Sequence, residues 1–128
     1  MTPVRTLAGI DPRTPVLVEL SPPFALAPGL PLDLRILQAA QPSWFNLLHL
    51  HGNNVMFNLA PLYPVQVVNW HDLETPPSLA EGKQRFGGAV CGGIRQIETL
   101  QRGTPEHVTE EVKAAIRQTN GERLIVAT

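Results

Sequence analysis

The segment WFNLLHLHG, residues 44–52, decides the fold. It is apolar on both faces and ends at a glycine, which is typical of a strand buried on both sides in a parallel sheet. Further short apolar runs are TPVLVEL (14–20), PVQVVNW (64–70), AVCGG (89–93) and RLIVAT (123–128). Together these runs predict about five strands.

Helix-like segments separate the predicted strands. The clearest is GTPEHVTEEVKAAIRQTNG (103–121), in which Thr104 is a typical N-cap, Pro105 takes the first helical position and Gly121 follows the end. The others are LPLDLRILQAAQ (30–41), NNVMFNLAPL (53–62) capped by Asn53 or Asn54, and SLAEGKQRF (78–86) capped by Ser78. Strands that alternate with helices predict an α/β fold with a parallel sheet.

The composition excludes several classes of protein. The 128 residues are 43% hydrophobic and 16% charged, with a net charge of −1, as expected for one globular domain. Scattered basic residues argue against nucleic acid or an anionic membrane as the main partner. No apolar run approaches the roughly 20 residues that span a bilayer, and no signal-peptide core is present. The single Cys91 excludes an internal disulfide framework, so a cytoplasmic protein is predicted.

The chain divides by composition into two parts. Residues 1–32 form a Pro-rich segment with one predicted strand, and residues 33–128 carry the regular alternation of strands and helices. A parallel sheet of five strands has two apolar edges, and such edges invite pairing with another chain. The domain is therefore either a small open α/β sheet or part of a larger assembly.

His49 and His51 are the first candidates for a functional site. Side chains two apart on a strand lie on the same face, about 6.6 Å apart along the chain. Zinc binds neutral imidazoles, and catalytic zinc sites use three protein ligands and an open position. His-x-His therefore supplies two of three ligands. The alternative is that both imidazoles merely line the mouth of the sheet as polar groups.

Further candidates follow neighbouring strands, since ligands gather at the carboxyl ends of parallel strands. His71 and Asp72 follow PVQVVNW, and Cys91 lies in AVCGG. Each is of a type that binds metal or moves protons. The alternatives are a buried apolar role for Cys91 and a turn or helix start at residues 71–72, where Asp72 could also orient an imidazole.

Three stretches resemble consecutive pieces of the C-terminal half of the uroporphyrinogen decarboxylase superfamily. They are LRILQAAQPSWFNLLHLHGNN, YPVQVVNWHDLETPPSLAEGKQRFGGAVCGGI and TLQRGTPEHVTEEVKAAIRQTNGERLIVAT. The most specific features are the His-x-His-Gly strand end, GGI after a short strand, and GTPEHVTEEVKAAI. The resemblance implies part of a (β/α)8 barrel with its site at the C-terminal mouth, and decarboxylation of a tetrapyrrole without a cofactor. Family members are more than twice as long, so it also implies a shortened and inactive form.

A second branch of that superfamily comprises zinc-dependent corrinoid and coenzyme M methyltransferases, which are similar at a His-x-Cys-Gly strand end. His49 matches their first zinc ligand, and His51 stands where their cysteine is. This resemblance implies zinc as cofactor and methyl transfer from a corrinoid to a thiol, with Cys91 or His71 as a substitute third ligand. A third hypothesis is a non-catalytic partial barrel that assembles with itself or with a separate half, so whether the chain is an enzyme stays open.

Overall fold

The computed structural model describes the backbone of residues 16–20 and the whole of residues 30–128. These residues form one sheet of five parallel strands, ordered as they occur in the chain. The strands are β1 (Val16–Leu20), β2 (Asn46–Leu50), β3 (Val67–Asn69), β4 (Ala89–Gly93) and β5 (Leu124–Ala127). The predicted α/β class and parallel sheet are therefore confirmed, while most of the Pro-rich segment 1–32 lies outside the described residues.

Helices connect the strands, as the alternation predicted. They are α1 (Leu30–Ala40) before β2, α2 (Leu79–Phe86) between β3 and β4, and α3 (Pro105–Thr119) between β4 and β5. Because right-handed crossovers between strands in sequential order lie on one side of a sheet, α2 and α3 pack on each other and on β4. This order is that of a (β/α)8 barrel, but the described strands form an open sheet with β1 and β5 at its edges. A partial barrel stays a prediction.

The core lies between the sheet and its helices. Leu48, Val68 and Val90 are fully buried and are neighbours in the strand register, so they form one row beneath the helices. Trp70 continues this layer: it is fully buried, packs edge-on against Phe57, and donates its indole N–H to the carbonyl of Pro77 at 2.9 Å. The core therefore anchors β2, β3 and β4 relative to one another.

The opposite face of the sheet carries His49 and Asn69. His49, Asn69, Cys91 and Ile125 are neighbours across β2, β3, β4 and β5. Since side chains alternate between faces, the burial of Leu48 and Val68 on the helix side places His49 and Asn69 on this open side. The candidate site is built on this face.

Two predicted helix starts are confirmed in detail. Ser78 and Glu81 form a reciprocal capping box at α2, and the hydroxyl of Thr104 accepts a hydrogen bond from the N–H of His107 at α3. Asn120, in the left-handed conformation, ends α3 just before the predicted Gly121. None of the helices among residues 30–128 is long and apolar enough to cross a bilayer.

The helix predicted over residues 53–62 is confirmed only in its second half, and the cap predicted at Asn53 or Asn54 is wrong. The chain instead forms a 3₁₀-helix at Phe57–Leu62, because Met56 precedes it in the left-handed region (φ 44°) and Pro61 inside it lacks a donor N–H. A π-helical segment, Gln96–Gln101, had no counterpart in the predicted elements.

Candidate metal centre

Three histidines meet at the carboxyl ends of β2 and β3. The ring centroids of His49 and His51 are 5.9 Å apart, and His71 lies 6.1 Å from the former and 6.0 Å from the latter. One ligand nitrogen from each ring lies within 4.8 Å of the other two, so the three could hold a metal ion. The predicted convergence of His49 and His51 is therefore confirmed, and His71 completes a triangle.

Local structure explains this convergence. Leu50 and Trp70 are buried on the helix side, so the histidines adjacent to them in sequence are carried toward the open side. Gly52, with φ at 95°, then turns the chain away and leaves His51 exposed at the edge of the site. His49 and His71 are half-buried. Two rigid, directly paired strands thus position the three rings.

Asn69 is a member of the site that the sequence analysis missed. It is 8% exposed, and its side-chain Oδ1 lies within hydrogen-bond distance of His49 Nδ1. Its amide nitrogen donates to the carbonyls of Cys91 (2.9 Å) and Thr128 (3.2 Å). A sequence signal was present, because Asn69 stands two residues before His71 as His49 stands two residues before His51.

Glu74 lies behind the third histidine. Its Oε2 is 3.7 Å from His71 Nδ1, and its backbone N–H donates to the carbonyl of His71 at 2.9 Å, which holds the turn closed. The hydroxyl of Thr75 donates to the carbonyl of Gly52 at 3.3 Å, so the loops after β2 and β3 are joined. Beside these loops is a depression of about 130 Å³, lined by His51, Gly52, Asn53, His71, Glu74 and Thr75.

Cys91 and Asp72 lie outside the group of convergent ligands. Burial raises the pKa of the Cys91 thiol to about 11. A hydrogen bond with Asn69 lowers this pKa, and the charge of Asp72 raises it further. Asp72 Oδ1 accepts a hydrogen bond from the N–H of Gly93 at 2.7 Å. Burial raises the pKa of the Asp72 carboxyl. Among the described contacts, Asp72 binds the N–H of Gly93 and Asn69 is the partner of His49. His71 rather than Cys91 lies in the group with His49 and His51.

A larger depression, of about 370 Å³, lies at the π-helical segment and α3. It is lined by Arg95, Glu98, Thr99, His107, Glu110 and Glu111. Two of these lining residues, Arg95 and Glu111, form an ion pair at 2.6 Å, and the hydroxyl of Thr99 donates to the same carboxylate at 2.9 Å. Exposed His107 is the one histidine of the sequence that is not part of the triangle.

Comparisons with protein-family models, with curated proteins and with solved structures returned no match to this chain.

Proposed function

We propose that this chain binds zinc through His49, His51 and His71 and uses the open fourth position to activate a thiol for methyl transfer from a corrinoid. The observation that carries the proposal is the triangle of imidazole nitrogens, all within 4.8 Å of one another. Three histidine ligands and one open position are a known arrangement of catalytic zinc. We include methyl transfer in the proposal because the His-x-His-Gly strand end resembles that of the methyltransferase branch.

The dimensions of the triangle suit the ion. At a zinc–nitrogen distance of about 2.05 Å, two ligands in tetrahedral geometry lie about 3.3 Å apart. Separations of up to 4.8 Å therefore close by about 1.5 Å or less, which rotation of a side chain supplies. His51 is the exposed ring of the three, so it is the one with room to rotate.

The charge of the site favours activation of a thiol. Zinc held here supplies a Lewis acid that lowers the pKa of a thiol, so that the thiolate takes the methyl group while the corrinoid keeps the electron pair of the cobalt–carbon bond. All three histidine ligands are neutral when they bind, so no thiolate from the protein offsets the charge of the ion. The carboxylate of Glu74 lines the adjacent depression, where it can accept the proton that the thiol releases.

Decarboxylation of a tetrapyrrole stays a prediction from the resemblance. That reaction needs cationic groups that hold carboxylates and stabilise the charge that develops. No lysine or arginine lines the depression beside the histidines in the part of the chain that the structure describes. Arg95 is already paired with Glu98 and Glu111. The geometry of the site therefore favours the metal-dependent reaction.

Metal analysis of the purified protein tests the zinc site. The wild type and His107→Ala are expected to hold about one zinc per chain, and the double variant His49→Ala/His51→Ala less than about a tenth. His107→Ala is the matched control, since it removes an exposed imidazole on α3. A wild-type content below a tenth of an equivalent, unchanged in the double variant, would remove the proposal.

The reaction is tested separately. Zinc-loaded wild type and His107→Ala are expected to accelerate methylation of a small thiol by methylcobalamin, measured as loss of the methylcobalamin absorbance, whereas His49→Ala/His51→Ala is not. If loaded wild type gives the buffer rate, methyl transfer is wrong and the zinc site remains.

A further inference from the structure

Asn69 connects most of the sheet through one side chain. It lies on β3, contacts His49 on β2, and donates to the carbonyl of Cys91 on β4 and to that of Thr128, which follows β5. It is 8% exposed, so these contacts are made largely away from water. A buried amide with partners on two other strands and on the residue after a third is held in a single orientation.

The chemistry of the partners fixes which end of the amide faces which neighbour. Backbone carbonyls only accept hydrogen bonds, and two of them face one end of the Asn69 amide at 2.9 and 3.2 Å. That end must be the NH₂ group, because the reversed amide would place its oxygen against two other oxygens. The side-chain Oδ1, which only accepts, therefore faces His49 Nδ1.

The amide in turn fixes the protonation pattern of the imidazole. A neutral imidazole carries one N–H, and a nitrogen that faces an acceptor must carry it. We infer that Asn69 is a positioning residue that holds His49 as its Nδ1–H tautomer and thereby presents Nε2 as the metal ligand. The inference concerns the zinc site of the proposed function, but the tautomer is a property of the protein before metal binds.

The amide of Asn69 affects the charge around a metal bound by His49. Acceptors behind metal-bound imidazoles are often carboxylates, which raise the basicity of the ligand. An amide orients the ring without adding negative charge, which keeps the donor set neutral on this side. An aspartate at position 69 could still accept from His49 but could not donate to the carbonyls of Cys91 and Thr128.

Nitrogen-15 NMR of the metal-free wild type tests the tautomer directly. We expect His49 to show a protonated Nδ1 and an unprotonated Nε2 at a pH where the ring is neutral, while exposed His107 shows the mixture typical of free imidazole. A His49 ring protonated at Nε2, or divided between the tautomers as in His107, would overturn the inference. This measurement needs no variant and so does not depend on the folding of one.

Variants test the consequence for metal binding. Asn69→Leu is expected to lose the single tautomer and to bind zinc about 10- to 100-fold more weakly, the usual effect of removing such a partner. Asn69→Asp is expected to restore the Nδ1–H tautomer, and Asn58→Leu, at an exposed position of the 3₁₀-helix, to match wild type. Unchanged tautomer and zinc affinity in folded Asn69→Leu would contradict the inference.

The outcomes separate this inference from the proposed function. If wild type shows the Nδ1–H tautomer but binds no zinc, the zinc proposal is wrong and the positioning role of Asn69 stands. If wild type binds zinc through Nδ1 of His49, seen as a metal-dependent shift of that nitrogen, the positioning role is wrong and the zinc site stands.

Discussion

Cys91 shows at the level of one residue how burial lowers the reactivity of a thiol. The side chain is 5% exposed, and burial raises its pKa from 9.0 to about 11. Since the thiolate is the nucleophile and the metal ligand, a thiol with this pKa is inert near neutral pH. Burial thus keeps the Cys91 thiol protonated, and the residue lies outside the group of three histidines on this face.

The raised pKa of Cys91 predicts a loss of unfolding free energy at high pH. The folded pKa lies above the unfolded value, so the contribution of Cys91 is complete below pH 9 and is lost as the pH rises toward 11. A rise in the pKa from 9.0 to about 11 corresponds to about 3 kcal/mol of unfolding free energy. Urea unfolding of wild type and Cys91→Ala from pH 8 to 11 should show this loss in wild type alone. Parallel curves for the two proteins would contradict the burial of the thiol.

Gly82 shows how closely helix α2 packs against the core. An added Cβ there would lie 2.4 Å from Cη2 of Trp70 and 2.7 Å from Cζ2. Trp70 has no freedom to retreat, because it is fully buried and its indole N–H is bound to Pro77. The glycine in the interior of α2 is therefore required by close approach of the helix to the sheet.

We expect Gly82→Ala to destabilise the protein. The gain in helix propensity is about 1 kcal/mol, and overpacking against a rigid ring costs about 1–3 kcal/mol. The net loss should be up to about 2 kcal/mol in urea unfolding, whereas Gln84→Ala, an exposed change in the same helix, should stay within about 0.5 kcal/mol. A Gly82→Ala protein that is more stable than wild type by about 1 kcal/mol, the full gain in helix propensity, would show that α2 and Trp70 are not in close contact.

Most elements could be predicted from sequence because their signals are local. Ser78 and Thr104 cap helices through residues three positions away, and β4 coincides with its apolar run. The 3₁₀-helix could not be predicted, since a left-handed Met56 has no sequence signature. The pair His49 and His51 could be predicted from spacing on one strand. The sequence also named His71, together with Cys91, as a candidate third ligand. The choice between these two, and the contact of Asn69 with His49, depend on the register between β2 and β3, which one strand's sequence does not contain.

At the scale of the whole molecule, the parallel order of the strands determines where the candidate metal centre lies. Five parallel strands in sequential order bring their carboxyl ends to one edge. There His49 lies in β2, while His51 and His71 lie just after β2 and β3. The described sheet is open: β1 and β5 are its edges, and Ile125 and Val126 on β5 are each 39% exposed. Assembly with a second copy or with another half of a barrel stays a prediction from these edges.

Sedimentation velocity across a range of protein concentrations tests that assembly. The prediction expects the sedimentation coefficient to rise with concentration, and Ile125→Glu on the edge strand to lower it toward the monomer value. A compact monomer at every concentration, which unfolds cooperatively, would show that the open sheet is complete as it stands.

The central claim is that folding brings histidines from two strands to one metal ion, and urea unfolding with and without zinc tests it most directly. At free zinc 100-fold above its dissociation constant, wild type and His107→Ala should gain about 2.7 kcal/mol of unfolding free energy. His71→Ala, which removes the ligand contributed by β3, should gain much less. Stabilisation of His71→Ala equal to that of wild type would contradict the account.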